Sequence, residues 1–164
     1  MAGFFRKGQT YADAILVIVI LFAMGIVAIF GANIVNELNT EIQADDSFSS
    51  DAKAVSSNVQ ENYSPLFDNI FVIVLGLFWL LLLVSAFMID THPIFFFVMI
   101  FLLVVVFIVG MALSNAYSEV AEDTDISADA SAFTKTIWVM DNLLIIMIVM
   151  GFTSAIALYA KSQT

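Results

Sequence analysis

"MIDTHPIF", residues 88–95, is a polar island in an apolar region. Asn69 to Ile89 come before it, with Ser85 the only clearly polar side chain after Asn69. Ile94 to Leu113 follow it with no polar side chain at all. Asp90, Thr91, His92 and Pro93 therefore admit two readings. They form a site, or they are the tip of a turn where the chain leaves one solvent and re-enters it. The neighbouring runs favour the turn. A hydrocarbon core about 30 Å thick needs ~20 apolar residues of helix. Four runs have that length: 14–32, 69–89, 94–113 and 142–160. Membrane β-strands would be about half as long and would alternate in polarity, and these runs do not alternate. The expected fold is all-α. It is a four-helix transmembrane bundle of two helical hairpins, in one integral membrane domain over residues 1–164.

Composition agrees. The chain is 62% hydrophobic and 12% charged, whereas a soluble domain is about half apolar and a quarter charged. In the turn, Pro93 suits the first position of the third helix, where its missing N–H is an orphan anyway. Asp90 and Thr91 can accept from the first free amides of that helix. His92 as a metal ligand or proton carrier is the alternative. It is the single histidine and the chain has no cysteine, so a mononuclear metal site would need carboxylates from elsewhere. The lack of cysteine excludes disulfides without fixing the compartment. No GxSxG, HExxH, P-loop or dinucleotide fingerprint occurs. No catalytic residue, metal or cofactor is expected.

Charge sets the expected orientation. Arg6 and Lys7 precede the first run and Lys161 follows the last. Segment 33–68 carries Glu37, Glu41, Asp45, Asp46, Asp51, Glu61 and Asp68 against Lys53 alone. Segment 114–136 carries Glu119, Glu122, Asp123, Asp125 and Asp129 against Lys135. Basic residues prefer the cytoplasmic side. Both termini and the 90–93 turn are thus expected in the cytoplasm, and both acidic loops outside. The first run is too long for a signal-peptide core and reads as an uncleaved anchor. The net charge of −10 argues against direct nucleic-acid binding, which needs a basic face. Asp123, Asp125, Ser127 and Asp129 alternate like the first half of a calcium loop. The pattern then fails, with Ala128 at the glycine position and Thr134 at the final glutamate.

The two halves echo each other. "GANIVNEL" from Gly31 matches "GMALSNAY" from Gly110, and "FDNIFVIVLGLF" from Phe67 matches "MDNLLIIMIVMGF" from Met140. A parallel tandem repeat of the hairpin is the expectation. The acidic segments also look partly helical. Ile34, Val35, Leu38 and Ile42 recur at helical spacing and extend the first helix, until "DDSFSS" at 45–50 breaks the pattern. Ala52, Val55 and Val59 mark a second short helix, expected to stop before Pro65. Segment 113–122 extends the third helix.

Charges inside spans usually mark transport sites, and none falls at mid-membrane here. Asp68 and Asp141 are expected as interfacial acids in the first turns of their helices, where the dipole favours them. Ion or proton handling is the alternative, for Asp141 as for Asp13. Ala28 and Ala32, Gly110 and Ser114, and Gly151 and Ala155 are each four apart and suit close helix packing. Trp79, mid-span, is expected between helices.

The stretch "HPIFFFVMIFLLVVVFIVGMALSNAYSEV", residues 92–120, continues into an acidic linker and then "MDNLLIIMIVMGFTSAIALYA". It resembles small integral membrane proteins of tailless icosahedral viruses with an internal membrane, with "SNAYSEV" carrying most of the likeness. The resemblance implies a virion component that scaffolds the vesicle under a capsid, without catalysis. Its partners would be the bilayer, copies of itself, and other membrane or capsid proteins. The alternatives are a holin-like permeabilising protein, which "KSQT" with its one lysine fits poorly, and an accessory subunit of a membrane complex.

Overall fold

The computed structural model describes residues 9–88 and 94–162, and they form helices joined by short turns. In order these are α1 (Gln9–Ala44), α2 (Ser50–Met88), α3 (Ile94–Ala121), α4 (Ser127–Ala130), α5 (Thr134–Asp141) and α6 (Leu143–Ser162). The expected turn at Asp90, Thr91, His92 and Pro93 lies outside the described residues. Among the described residues, three helices are long and apolar enough to cross a membrane. The pair α5–α6 makes a fourth candidate, bent by 70° at its join.

The helices overrun a bilayer. With 36 and 39 residues, α1 and α2 are roughly 54 and 58 Å long at 1.5 Å per residue. The extension of α1 through Ile34, Val35, Leu38 and Ile42 is present, and so is the break that follows it. There the Asp45 carboxylate accepts from the Ser47 amide at 2.8 Å. The Ser49 hydroxyl accepts from the Ala52 amide at 3.2 Å, as a residue preceding a helix does. The extension of the third helix is present as well, since α3 runs to Ala121.

The stop before Pro65 is not observed. Helix α2 passes through Pro65 without interruption, so the expected short helix and the second span are one element. An interior proline loses one backbone bond and crowds the carbonyl four residues back, at about 3 kcal/mol. Packing on either side offsets that cost. Tyr63 and Phe67 stack with ring centroids 4.6 Å apart, and both pack against the buried core. Tyr63 also lies directly over Gly31 of α1, where a Cβ would collide with its hydroxyl.

Cross-helix contacts set the directions. Gln43 donates to the Lys53 carbonyl and the Ser57 hydroxyl, Asn39 pairs with Gln60, and Gly31 faces Tyr63. Partner numbers rise along α2 as they fall along α1, so the two are antiparallel. Helix α3 is antiparallel to α5–α6 by the same test, from Ser114 with Met140 to Leu103 with Gly151. Trp79 donates from Nε1 to the Thr153 hydroxyl at 3.1 Å, tying α2 to α6. The buried core gathers Leu21, Ile29, Phe71, Tyr117, Phe133 and Leu143. Large exposed apolar side chains such as Leu16, Val27, Ile73, Leu80, Phe101, Ile145 and Phe152 cover the outer faces, as lipid-facing surfaces require.

The small residues sit at helix contacts. Ala28 and Ala32 are buried on α1. A Cβ on Gly110 would lie 2.5 Å from Met147 Sδ, and one on Gly151 would lie 2.6 Å from Leu103 Cδ2. Ala155 packs beside the buried Ala86 and Ala157. The packing does not confirm the duplication. Gly31 lies on the hairpin side of Asp68, whereas Gly110 lies on the α6 side of Asp141. Helix α2 is continuous through Asp68–Asn69, but helix is interrupted at Asp141–Asn142, between α5 and α6.

Candidate functional site: a polar layer at the acidic end of the bundle

Segments α4 and α5 lie across the end of the bundle that carries the acidic stretches. Helix α5 buries Thr136, Val139 and Met140, and Phe133 before it is fully buried. The residue preceding α5 is this Phe133, whose side chain offers no capping bond. The first amides of a helix still need acceptors. Asp68 supplies them from α2. Its Oδ2 accepts from the Lys135 amide at 3.0 Å. Its Oδ1 accepts from the Thr136 amide at 2.7 Å and the Thr136 hydroxyl at 2.9 Å. Asp68 is only 4% exposed. The Lys135 ammonium reaches back to Asn69.

This corrects the expectation for Asp68. It is not in the first turn of its own helix, since α2 begins at Ser50. It serves the first turn of a different helix, 67 residues further along the chain. The dipole argument still holds, applied to α5: a carboxylate at a helix N-terminus meets partial positive charge. Asp141 is different in kind. It ends α5, is exposed, and stands just before α6.

The rest of the layer links the other helices. Ser114 donates its hydroxyl to the Met140 carbonyl at 2.7 Å, next to the bend, where the α5 carbonyls are short of amide partners. Asp129, just after the start of α4, accepts from Asn33 at 2.9 Å and from Asn36, both on α1. Of the alternating acids, Asp129 therefore clamps α4 to α1, while Asp123 accepts from the Asp125 amide at 3.0 Å. Among the described residues, no group of three or more His, Cys, Asp or Glu is placed to hold a metal ion. Tyr117 stands in the middle, fully buried, with no hydrogen-bond partner for its hydroxyl. Its ring lies over Gly25 of α1, where a Cβ would come within 2.8 Å of Cε2.

The arrangement locks helices together. The Asp68 and Asp129 carboxylates are used by donors from other helices, and Thr136 spends its amide and hydroxyl on one acceptor. Sequence reasoning picked out Asp68 and Ser114 but missed Thr136, Lys135, Tyr117, Gly25 and the Asn33–Asn36–Asp129 clamp. One signal was available: Asn33 and Asn36 are three apart just past an apolar run, so they share a helix face. No protein-family profile, curated protein or solved structure matches the chain.

Proposed function

We propose that this chain is a structural multi-pass membrane protein that works within a larger assembly, in keeping with its resemblance to internal-membrane proteins of icosahedral virions. The reading takes both termini as cytoplasmic and the acidic end as the face shown to neighbours. One observation carries it. The acidic end of the bundle is closed by α4–α5 and pinned there by Asp68. Such a lid suits a closed bundle better than one that opens. The faces turned away from it are apolar, and apolar helices offer water nothing, so a wet lesion between them is costly.

Expression alone in a bacterium tests the reading. The expected result is no dye entry and no loss of membrane potential. Triggered depolarisation that disappears on replacing Gly151 or Asp141 would overturn it in favour of the holin-like alternative. Reporter fusions at Lys53, His92 and Thr164 test the orientation. Position 53 is expected on the opposite side from 92 and 164, and a shared side for 53 and 92 would overturn the topology.

A further inference from the structure

Beyond Asn36, α1 and α2 continue as an antiparallel pair held by Asn39 with Gln60 and by Gln43 with Lys53 and Ser57. Asn36 is the last residue of α1 bonded to α4, and Ile42 lies six residues beyond it, roughly 9 Å further at 1.5 Å per residue. One side of α1 is occupied up to Asn36: Asn33 and Asn36 face α4. The opposite side is open. Between the two helices runs an apolar groove lined by Val35, Leu38 and Ile42 of α1 and Ala52, Val55 and Val59 of α2. Leu38 is 51% exposed and Val55 65%. Each helix presents its three residues at spacings of three and four, the pattern that receives the ridge of a third helix.

The charge around the groove selects the occupant. Asp51 lines it on α2, and on α1 the exposed Glu37 and Glu41, one turn apart, precede the lining residues Leu38 and Ile42 in the chain and by helical spacing fall on the flank of their face. Glu61, Asp45 and Asp46 are also exposed on this hairpin. Its single cation, Lys53, donates to the Gln43 carbonyl at 3.0 Å and lies 4.0 Å from Asp46. A second copy seated here would set one acidic rim against another, and an anionic lipid surface would be repelled in the same way.

We infer that this groove is the docking site for an amphipathic helix of a partner protein, whose apolar stripe is flanked on both edges by Lys or Arg. This rests on the structural reading above and names the kind of neighbour its acidic end would take. The apolar stripe supplies the contact, and the flanking cations supply orientation and exclude like-charged partners.

The full chain in phosphatidylcholine nanodiscs is the material for the test. The probe is a fluorescent synthetic helix of three heptads with Leu at the a and d positions and Lys at e and g. Anisotropy is expected to show saturable binding that weakens as salt is added. Glu in place of Lys should abolish it. The Leu38→Gln/Val55→Gln variant should weaken binding at least tenfold with its helical circular dichroism unchanged. Glu37→Gln/Glu41→Gln should flatten the salt dependence. Equal binding of the Glu-flanked helix, no binding at all, or equal binding to empty nanodiscs would each overturn the inference. So would a wild-type oligomer that Leu38→Gln/Val55→Gln dissociates, since a second copy would then fill the groove. The two readings fail separately: depolarisation in cells sinks the structural role while leaving the peptide result standing, and a groove that binds nothing leaves the closed bundle intact.

Discussion

Replacing Asp68 by alanine removes the side chain that caps α5. Three donors lose their acceptor at once: the Lys135 amide, the Thr136 amide and the Thr136 hydroxyl. Thr136 is 1% exposed, so water does not easily take the place of Asp68. A buried donor left unpaired costs about 1–3 kcal/mol. The three donors share one small site, and the segment can relax locally, so a total of about 3–4 kcal/mol is expected rather than the full sum. At about 1.4 kcal/mol per tenfold, local opening of α4–α5 should become roughly 100- to 1000-fold more frequent. Asp68→Asn keeps one carbonyl acceptor and loses the charge facing the helix dipole, so it should fall between, at about 1–2 kcal/mol. Amide hydrogen exchange in nanodiscs reads this directly. Protection should fall across 127–141 while the α1–α2 contact around Gln43 and Lys53 keeps its exchange rates. Exchange of the Lys135 and Thr136 amides in Asp68→Ala within threefold of wild type would refute the capping role. A uniform loss across α1 and α2 would show that Asp68 holds the whole bundle and not the lid.

Other substitutions test the layer from other sides. Tyr117→Phe removes a buried hydroxyl that has no partner; it should leave stability unchanged or raise it by about 1 kcal/mol, read as the midpoint of unfolding in mixed detergent, and a clear loss would mean the hydroxyl is bonded. Gly31→Leu drives a side chain into Tyr63 and should destabilise by about 2–3 kcal/mol on the same assay, whereas Gly76→Leu, at a position with open space around it, should change little. At the hairpin tip, the amide of Ser47 and then its side chain hold the Asp45 carboxyl below its ordinary value of 3.8. A lowered folded value stabilises the turn above 3.8 and is lost only as pH falls below it. Exchange at 45–49, corrected for intrinsic rate, should therefore stay constant from neutral pH down to about 4, and Asp45→Asn should remove any further acid sensitivity.

Much of the architecture follows from the sequence alone, because it depends on local properties. Four apolar runs of bilayer length have no stable alternative to helix in hydrocarbon. The spacing of Ile34, Val35, Leu38 and Ile42 carries α1 beyond the membrane, and the Asp45–Ser49 turn is written in residues that bond their own backbone. The tertiary structure decided what happens at Pro65, where a local rule says stop but the packing of Tyr63 and Phe67 onto α1 and the core outweighs the lost bond. It also decided that two identical Asp–Asn pairs differ, one inside a continuous helix with its Asp68 buried and the other at a 70° bend. Asp68 reads locally as an acid beginning an apolar run. Its role as the cap of α5 depends on donors 67 and 68 residues away, brought to it only when α2, α3 and α6 pack side by side. Periodicity and capping patterns describe neighbours within a few residues. A hydrogen bond between distant helices leaves no such pattern, so it becomes visible only in the folded chain.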